Sequence, residues 1–83
     1  MDERTQVMRL RVVAELDSDA LIRTLERFQN KGLRPRRVLA EYTSAKTLTI
    51  QVDVSGLDES FLTQIANKLT QYPSVLQADW HYP

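Results

Sequence analysis

The sequence predicts an α+β fold, a βαββαβ sandwich whose four-stranded antiparallel sheet carries both helices on one face. Three observations lead there. Four segments alternate apolar and polar residues with period two. Two segments carry apolar residues at helical spacing. Their order along the chain is strand, helix, strand, strand, helix, strand. Eighty-three residues suffice for one such domain, residues 1–83, with a single core.

The first strand runs from Gln6 to Leu16. Met8, Leu10, Val12, Ala14 and Leu16 face one way, and Val7, Arg9, Arg11, Val13 and Glu15 face the other. Asp17, Ser18 and Asp19 follow, with side-chain oxygens suited to capping a helix start. Leu21, Leu25 and Phe28, with Ile22 beside them, mark the first helix, and Gly32 stands where a left-handed residue commonly ends one. Pro35 bars continuation, and Val38, Ala40 and Tyr42 alternate with Arg37, Leu39 and Glu41 in a second strand. The polar stretch Thr43 to Lys46 reads as a hairpin. Leu48, Ile50, Val52 and Val54 then alternate with Thr47, Thr49, Gln51 and Asp53 in a third, β-branched strand.

Ser55-Gly56 breaks that strand, and Asp58 caps a second helix striped by Phe61, Leu62, Ile65 and Leu69. Tyr72-Pro73 stops it. Leu76, Ala78, Trp80 and Tyr82 alternate with Val75, Gln77, Asp79 and His81 in a fourth strand, with Trp80 as a core anchor. Right-handed crossovers interleave the two strand–helix–strand halves into a ferredoxin-like sandwich. The even positions of all four strands are expected to be buried. The odd positions form an open polar face with Arg9, Arg11, Thr47, Thr49, Gln51, Gln77 and His81.

Composition narrows the chemistry. The chain has no cysteine, which excludes a disulfide framework, a zinc ribbon and a thiol nucleophile. Eleven basic and eleven acidic residues cancel, but residues 1–40 carry net +3 and residues 41–83 net −3. A dipolar chain of this kind does not read as a nucleic-acid binder. An RNA-recognition sheet would stack bases on aromatics of its open face, where this sequence puts Arg9, Arg11, Thr49 and Gln51. No stretch is apolar enough to span a membrane and the start is polar, so a cytoplasmic protein is expected.

No set of residues reads as a catalytic or metal site. His81 has no partner at a defined spacing, Ser18 has no base in sequence reach, and Gly32 and Gly56 form no phosphate-cradling loop. The Asp17-Ser18-Asp19 cluster lacks the further ligands of a calcium loop. No cofactor is expected. Arg34, Arg36 and Arg37, after Lys31, form a basic cluster leading into an edge strand, where charge discourages unwanted pairing. As a functional surface it would dock an acidic partner.

The segment ALIRTLERFQNKGLRPRRV, Ala20 to Val38, resembles ACT domains, and within them the short form of the acetolactate synthase small regulatory subunit. Leu21, Arg23, Phe28, Lys31 and Gly32 carry the resemblance, and Ile65, Lys68, Leu69 and Val75 echo it. The resemblance implies a non-catalytic subunit that activates the large, thiamine-diphosphate-dependent catalytic subunit of branched-chain amino acid biosynthesis. It also implies a homodimer, paired side by side through the sheet edge into eight strands. Arg34, Arg36, Arg37, Val38, Leu39, Ala40, Glu41 and Tyr42 are the expected dimer or partner surface. A free-standing ACT-type amino-acid-binding regulatory domain is the alternative, and an RNA-binding module of the same topology the third.

ACT domains hold an effector's carboxylate at the turn between strand one and helix one, which here is Leu16, Asp17, Ser18, Asp19 and Ala20. The family's glycine is missing there. Glu15, Asp17 and Asp19 crowd the place an anion would take, and a capping side chain would occupy the helix amides. Branched-chain feedback is therefore expected to be weak or absent.

Overall fold

The computed structural model describes residues 6–16 and 18–83. The elements follow the expected order: β1 (Val7–Glu15), α1 (Ala20–Gln29), β2 (Arg37–Tyr42), β3 (Thr47–Ser55), α2 (Glu59–Leu69) and β4 (Val75–His81). All neighbouring strands pair antiparallel, in the order β2-β3-β1-β4. β1, first in the chain, lies inside the sheet, and β2 and β4 form its edges.

The core follows from the period of each element. Met8, Leu10, Val12 and Ala14 of β1 and Leu48, Ile50, Val52 and Val54 of β3 are buried on one face. They pack with Phe28 of α1 and Leu62, Ile65, Ala66 and Leu69 of α2 in one cluster. On α1 the buried line is Ala20, Thr24 and Phe28, each one turn after the last. Leu21 flanks that line, whereas Ile22 is 63% exposed.

The ends of the helices are set by local chemistry. Asp58 caps α2, its Oδ1 accepting from the Ser60 N–H at 3.2 Å. α1 closes with the Leu33 N–H on the Phe28 carbonyl and the Gly32 N–H on the Gln29 carbonyl, both 2.9 Å. That arrangement needs a left-handed residue, and Gly32 supplies it with φ +69°.

The expected burial fails at both edges. On β2 the even residues Val38, Ala40 and Tyr42 are exposed, Tyr42 by 78%. They do face the helix side, but the helices stop short of this edge. On β4 the alternation shifts: Ala14 lies opposite Val75, and Val13 opposite Gln77, so Leu76 is an extra residue in the ladder. The bulge turns Val75 into the core and leaves Leu76 56% exposed, the reverse of the sequence expectation. Past the bulge Trp80 is half-buried rather than a core anchor, and its Nε1 donates to Thr63 Oγ1 at 2.9 Å. On the open face, Thr49 and Asp53 are buried although polar.

Candidate functional site

The gap that the helices leave beside β2 is a cleft of about 600 Å³. Its walls come from four places. Leu16, Ser18 and Asp19 belong to the β1–α1 turn, and Leu21 and Ile22 to α1. Ala40, Glu41 and Tyr42 line it from β2, and Leu48 from β3. The size is that of a small-molecule site, and the walls are mainly apolar. The fold thus brings together two groups of residues that the sequence nominated separately, the candidate effector turn and the edge strand.

The turn is built by local hydrogen bonds. The Ser18 hydroxyl donates to the Glu15 carbonyl at 2.6 Å and accepts from the Ala20 N–H at 3.3 Å. That engagement gives Ser18 a structural task. The Leu16 N–H donates to the Lys46 carbonyl at 3.0 Å, tying the turn to the β2–β3 hairpin. The hairpin is itself knitted by hydroxyls, with Ser44 and Thr43 bonded to Thr47 at 2.8 and 3.0 Å.

Asp19 does not cap α1. It occupies the cap position, but its side chain makes no cap bond and accepts from Arg23 Nε at 2.9 Å, one turn along the helix. This bond, with Coulomb attraction, holds the Arg23 guanidinium more firmly protonated than usual. Ala20 is buried beneath the helix and does not line the cleft. Asp17, the remaining member of the nominated turn, lies outside the described residues. The cleft therefore carries the carboxylate of Asp19, engaged by Arg23, on apolar walls, while Glu41 borders it from a β2 position whose side chain belongs to the open face.

Arg23 and Arg27 also stand against the ring of Tyr72, 5.6 and 5.7 Å from its centroid. Arg27 Nη2 donates to the Tyr72 hydroxyl at 2.9 Å. This fastens the outer side of α1 to the turn before β4. Arg34, Arg36 and Arg37 are exposed at the opposite end of β2 from Tyr42 and do not line the cleft. The Arg36 N–H donates to the Asp53 carbonyl at 2.7 Å.

The open face of the sheet is ordered by its register. Arg37, Asp53, Arg9 and His81 lie in one row across all four strands, with Leu39, Gln51, Arg11 and Asp79 in the next. Asp53 sits between two arginines and is held below the usual carboxylate range, chiefly by its bond to Arg9. No Phe, Tyr or Trp side chain stands among these residues. No helix among the described residues is long and apolar enough to cross a membrane.

No protein-family model matches the chain, and no curated protein matches it in sequence. Solved structures do resemble it. The solution structure of the C-terminal domain of the MgtC protein from Mycobacterium tuberculosis superimposes with a TM-score of 0.81 at 16% identity. That match covers 100% of this chain and 93% of the other. The ACT domain of GTP pyrophosphokinase from Chlorobium tepidum matches as a crystal structure, with TM-score 0.74, 13% identity and coverage of 90% and 96%. Its solution structure matches with TM-score 0.75, 13% identity and coverage of 93% and 86%. At such identities the likeness is one of fold, and the fold is the ACT-like ferredoxin sandwich.

Proposed function

We propose that this chain is a non-catalytic regulatory domain of ACT type that binds a small, largely apolar molecule in the cleft between α1 and β2. The observation that carries this reading is the cleft itself, formed where the β1–α1 turn meets an exposed edge strand. A ligand there would touch the turn, the helix and the sheet edge together. Its occupancy would change what that edge can pair with, which is how a binding domain without chemistry of its own acts on a partner. The likeness of fold to the ACT domain of GTP pyrophosphokinase supports the same reading.

The charges in the cleft set the preferred ligand. Asp19 repels a free carboxylate, while Leu21, Ile22, Tyr42 and Leu48 favour an apolar body. An exposed charge contributes about 0.2–1 kcal/mol, so the discrimination is a factor of up to about five. Leucine and leucinamide differ in that one charge. Calorimetric titration should find leucinamide binding more tightly than leucine, with Ile22→Asp weakening both. Tighter binding of leucine would overturn the charge reading, and failure of both ligands to bind would overturn the cleft as their site.

The finer assignment is to the small subunit of acetolactate synthase, with the thiamine-diphosphate-dependent large subunit as partner. It rests on Leu21, Arg23, Phe28, Lys31 and Gly32. Three of these have tasks in the fold: Phe28 fills the core, Gly32 ends α1, and Arg23 binds Asp19 and Tyr72. Their pattern accordingly supports the general regulatory reading more than the particular partner. Reconstitution decides the matter. A rise in the large subunit's rate on adding this chain supports the assignment, and no co-purification and no change in rate removes it.

A further inference from the structure

We propose that the groove between α1 and α2 binds the phosphate end of a small organic phosphate ester. The inference goes beyond the regulatory reading and does not depend on what occupies the cleft beside β2. Two helical stripes face each other across this groove. Arg27, Asn30 and Lys31 stand at i, i+3 and i+4 on the end of α1 and just past it. Phe61, Gln64, Ile65 and Lys68 stand at i, i+3, i+4 and i+7 along α2. The space between them is about 160 Å³.

The lining carries one sign of charge. Arg27, Lys31 and Lys68 converge on the groove, and no carboxylate lines it. None of the three forms an ion pair among the described residues, whereas Arg23, one turn back on α1, is engaged by Asp19 and Glu26. The helix dipole favours a cation in the last turn, which accounts for Arg27 on α1 and Lys68 on α2 taken singly. It does not account for three cations meeting across one gap, where like charges repel. An anion seated among them turns that repulsion into attraction. Arg27 is already held for the task, since its Nη2 donates to the Tyr72 hydroxyl at 2.9 Å. Its other N–H groups remain to bond a ligand, and little side-chain freedom is left to lose.

The donor set selects the anion. Three cations, with amide N–H donors from Asn30 and Gln64, match the several oxygens and double charge of a phosphate monoester better than the two oxygens and single charge of a carboxylate. The floor is apolar, with Ile65 buried and Phe61 half-buried, and offers a seat to the carbon atoms next to the phosphate. The groove is smaller than the usual site for a whole small molecule, about 300–1,000 Å³. It therefore takes the charged end of the ligand and the atoms beside it.

Phenyl phosphate, a phosphate joined to one apolar ring, is the probe. Titrated into isotope-labelled protein, it should move the side-chain amide signals of Asn30 and Gln64 to saturation. It should also bind more tightly than inorganic phosphate or benzyl alcohol, and less tightly as salt is added. Lys31 and Lys68 are exposed, so Lys31→Gln and Lys68→Gln should leave circular dichroism unchanged. Each should weaken binding about threefold. Arg34 does not line the groove, and Arg34→Gln should leave binding as it is. Unmoved Asn30 and Gln64 signals at millimolar probe would overturn the site. Indifference to both lysine substitutions, or an equal loss on Arg34→Gln, would overturn it as well, leaving only the general attraction of an anion to a basic surface. Inorganic phosphate binding as tightly as the ester would overturn the apolar seat. A hexaglutamate peptide that displaces the probe and binds more tightly would overturn phosphate as the ligand.

Discussion

Arg9 holds Asp53 across the middle of the sheet with two parallel hydrogen bonds, Nε to Oδ1 at 2.8 Å and Nη2 to Oδ2 at 3.0 Å. The two residues face each other directly in the β1–β3 register, and Asp53 is only 8% exposed. A fork of this kind fixes geometry as well as charge, since both guanidinium donors match both carboxylate oxygens. Arg37 approaches the same carboxylate from β2 and His81 adds to the field from β4.

The pair sets a pH dependence. The Asp53 carboxyl titrates below its ordinary value when folded, because its charged form is held by Arg9. A depressed folded value means stability that is present above the unfolded pKa of about 3.9 and lost as pH falls through the folded one. Asp53→Asn removes that contribution. Urea midpoints should show wild type more stable than the variant at neutral pH, with the gap closing below about pH 4. A gap that widens in acid would contradict the pairing.

Thr24 predicts a gain. Its hydroxyl is fully buried on α1 and has no hydrogen-bond partner. Valine has the same shape without the polar group, and the two residues have similar helix propensity. Thr24→Val should raise stability by about 1 kcal/mol, by removing an unsatisfied group. Chemical denaturation would measure it, and a loss of stability would mean that the hydroxyl does find a partner.

Gly32 predicts a cost that comes from the backbone alone. A Cβ added there would meet nothing within 4 Å, yet φ is +69°. Gly32→Ala should therefore cost about 1–2 kcal/mol by left-handed strain, and Gly32→Asn less. Equal stability of glycine and alanine variants would show that α1 ends in another way.

The bulge in β4 makes neighbouring residues respond oppositely. Val75 is 8% exposed and Leu76 56%. Leu76→Lys should lie within about 0.5 kcal/mol of wild type, whereas Val75→Lys buries a charge and should unfold the domain or nearly so. Thermal melts of the two variants would separate the bulged register from a regular one, in which the order would reverse.

Much of the architecture was legible in the chain. Period-two runs such as Leu48 to Val54 and the stripe of Leu62, Ile65 and Leu69 announce their own elements, and the caps at Asp58 and Gly32 mark two helix ends. The errors fell where burial depends on distant partners. Nothing local says that the helices stop short of β2, so Val38, Ala40 and Tyr42 read as core. Nothing local says that β4 carries an extra residue opposite Val13 and Ala14. Asp19 was misread because a capping oxygen and an ion-pair partner are the same group, and only the position of Arg23 one turn on decides between them. Of the cleft, its members were visible but not their meeting. Sequence order separates Ser18 from Tyr42, and the sheet topology brings them together.

The inner position of β1 has a consequence for how the chain acquires its structure. The first of these four strands in chain order pairs with β3 on one side and β4 on the other, and Arg9 lies opposite both Asp53 and His81. The hairpin of β2 and β3 is the one pair of strands joined by a short link. Every other ladder must close a long loop before its contacts repay the lost chain entropy. The sheet therefore cannot assemble progressively from its first strand outward. β1 has two open edges until β3 pairs with it and one until β4 does, and its apolar line Met8, Leu10 and Val12 stays open to whatever else is nearby until the helices cover it.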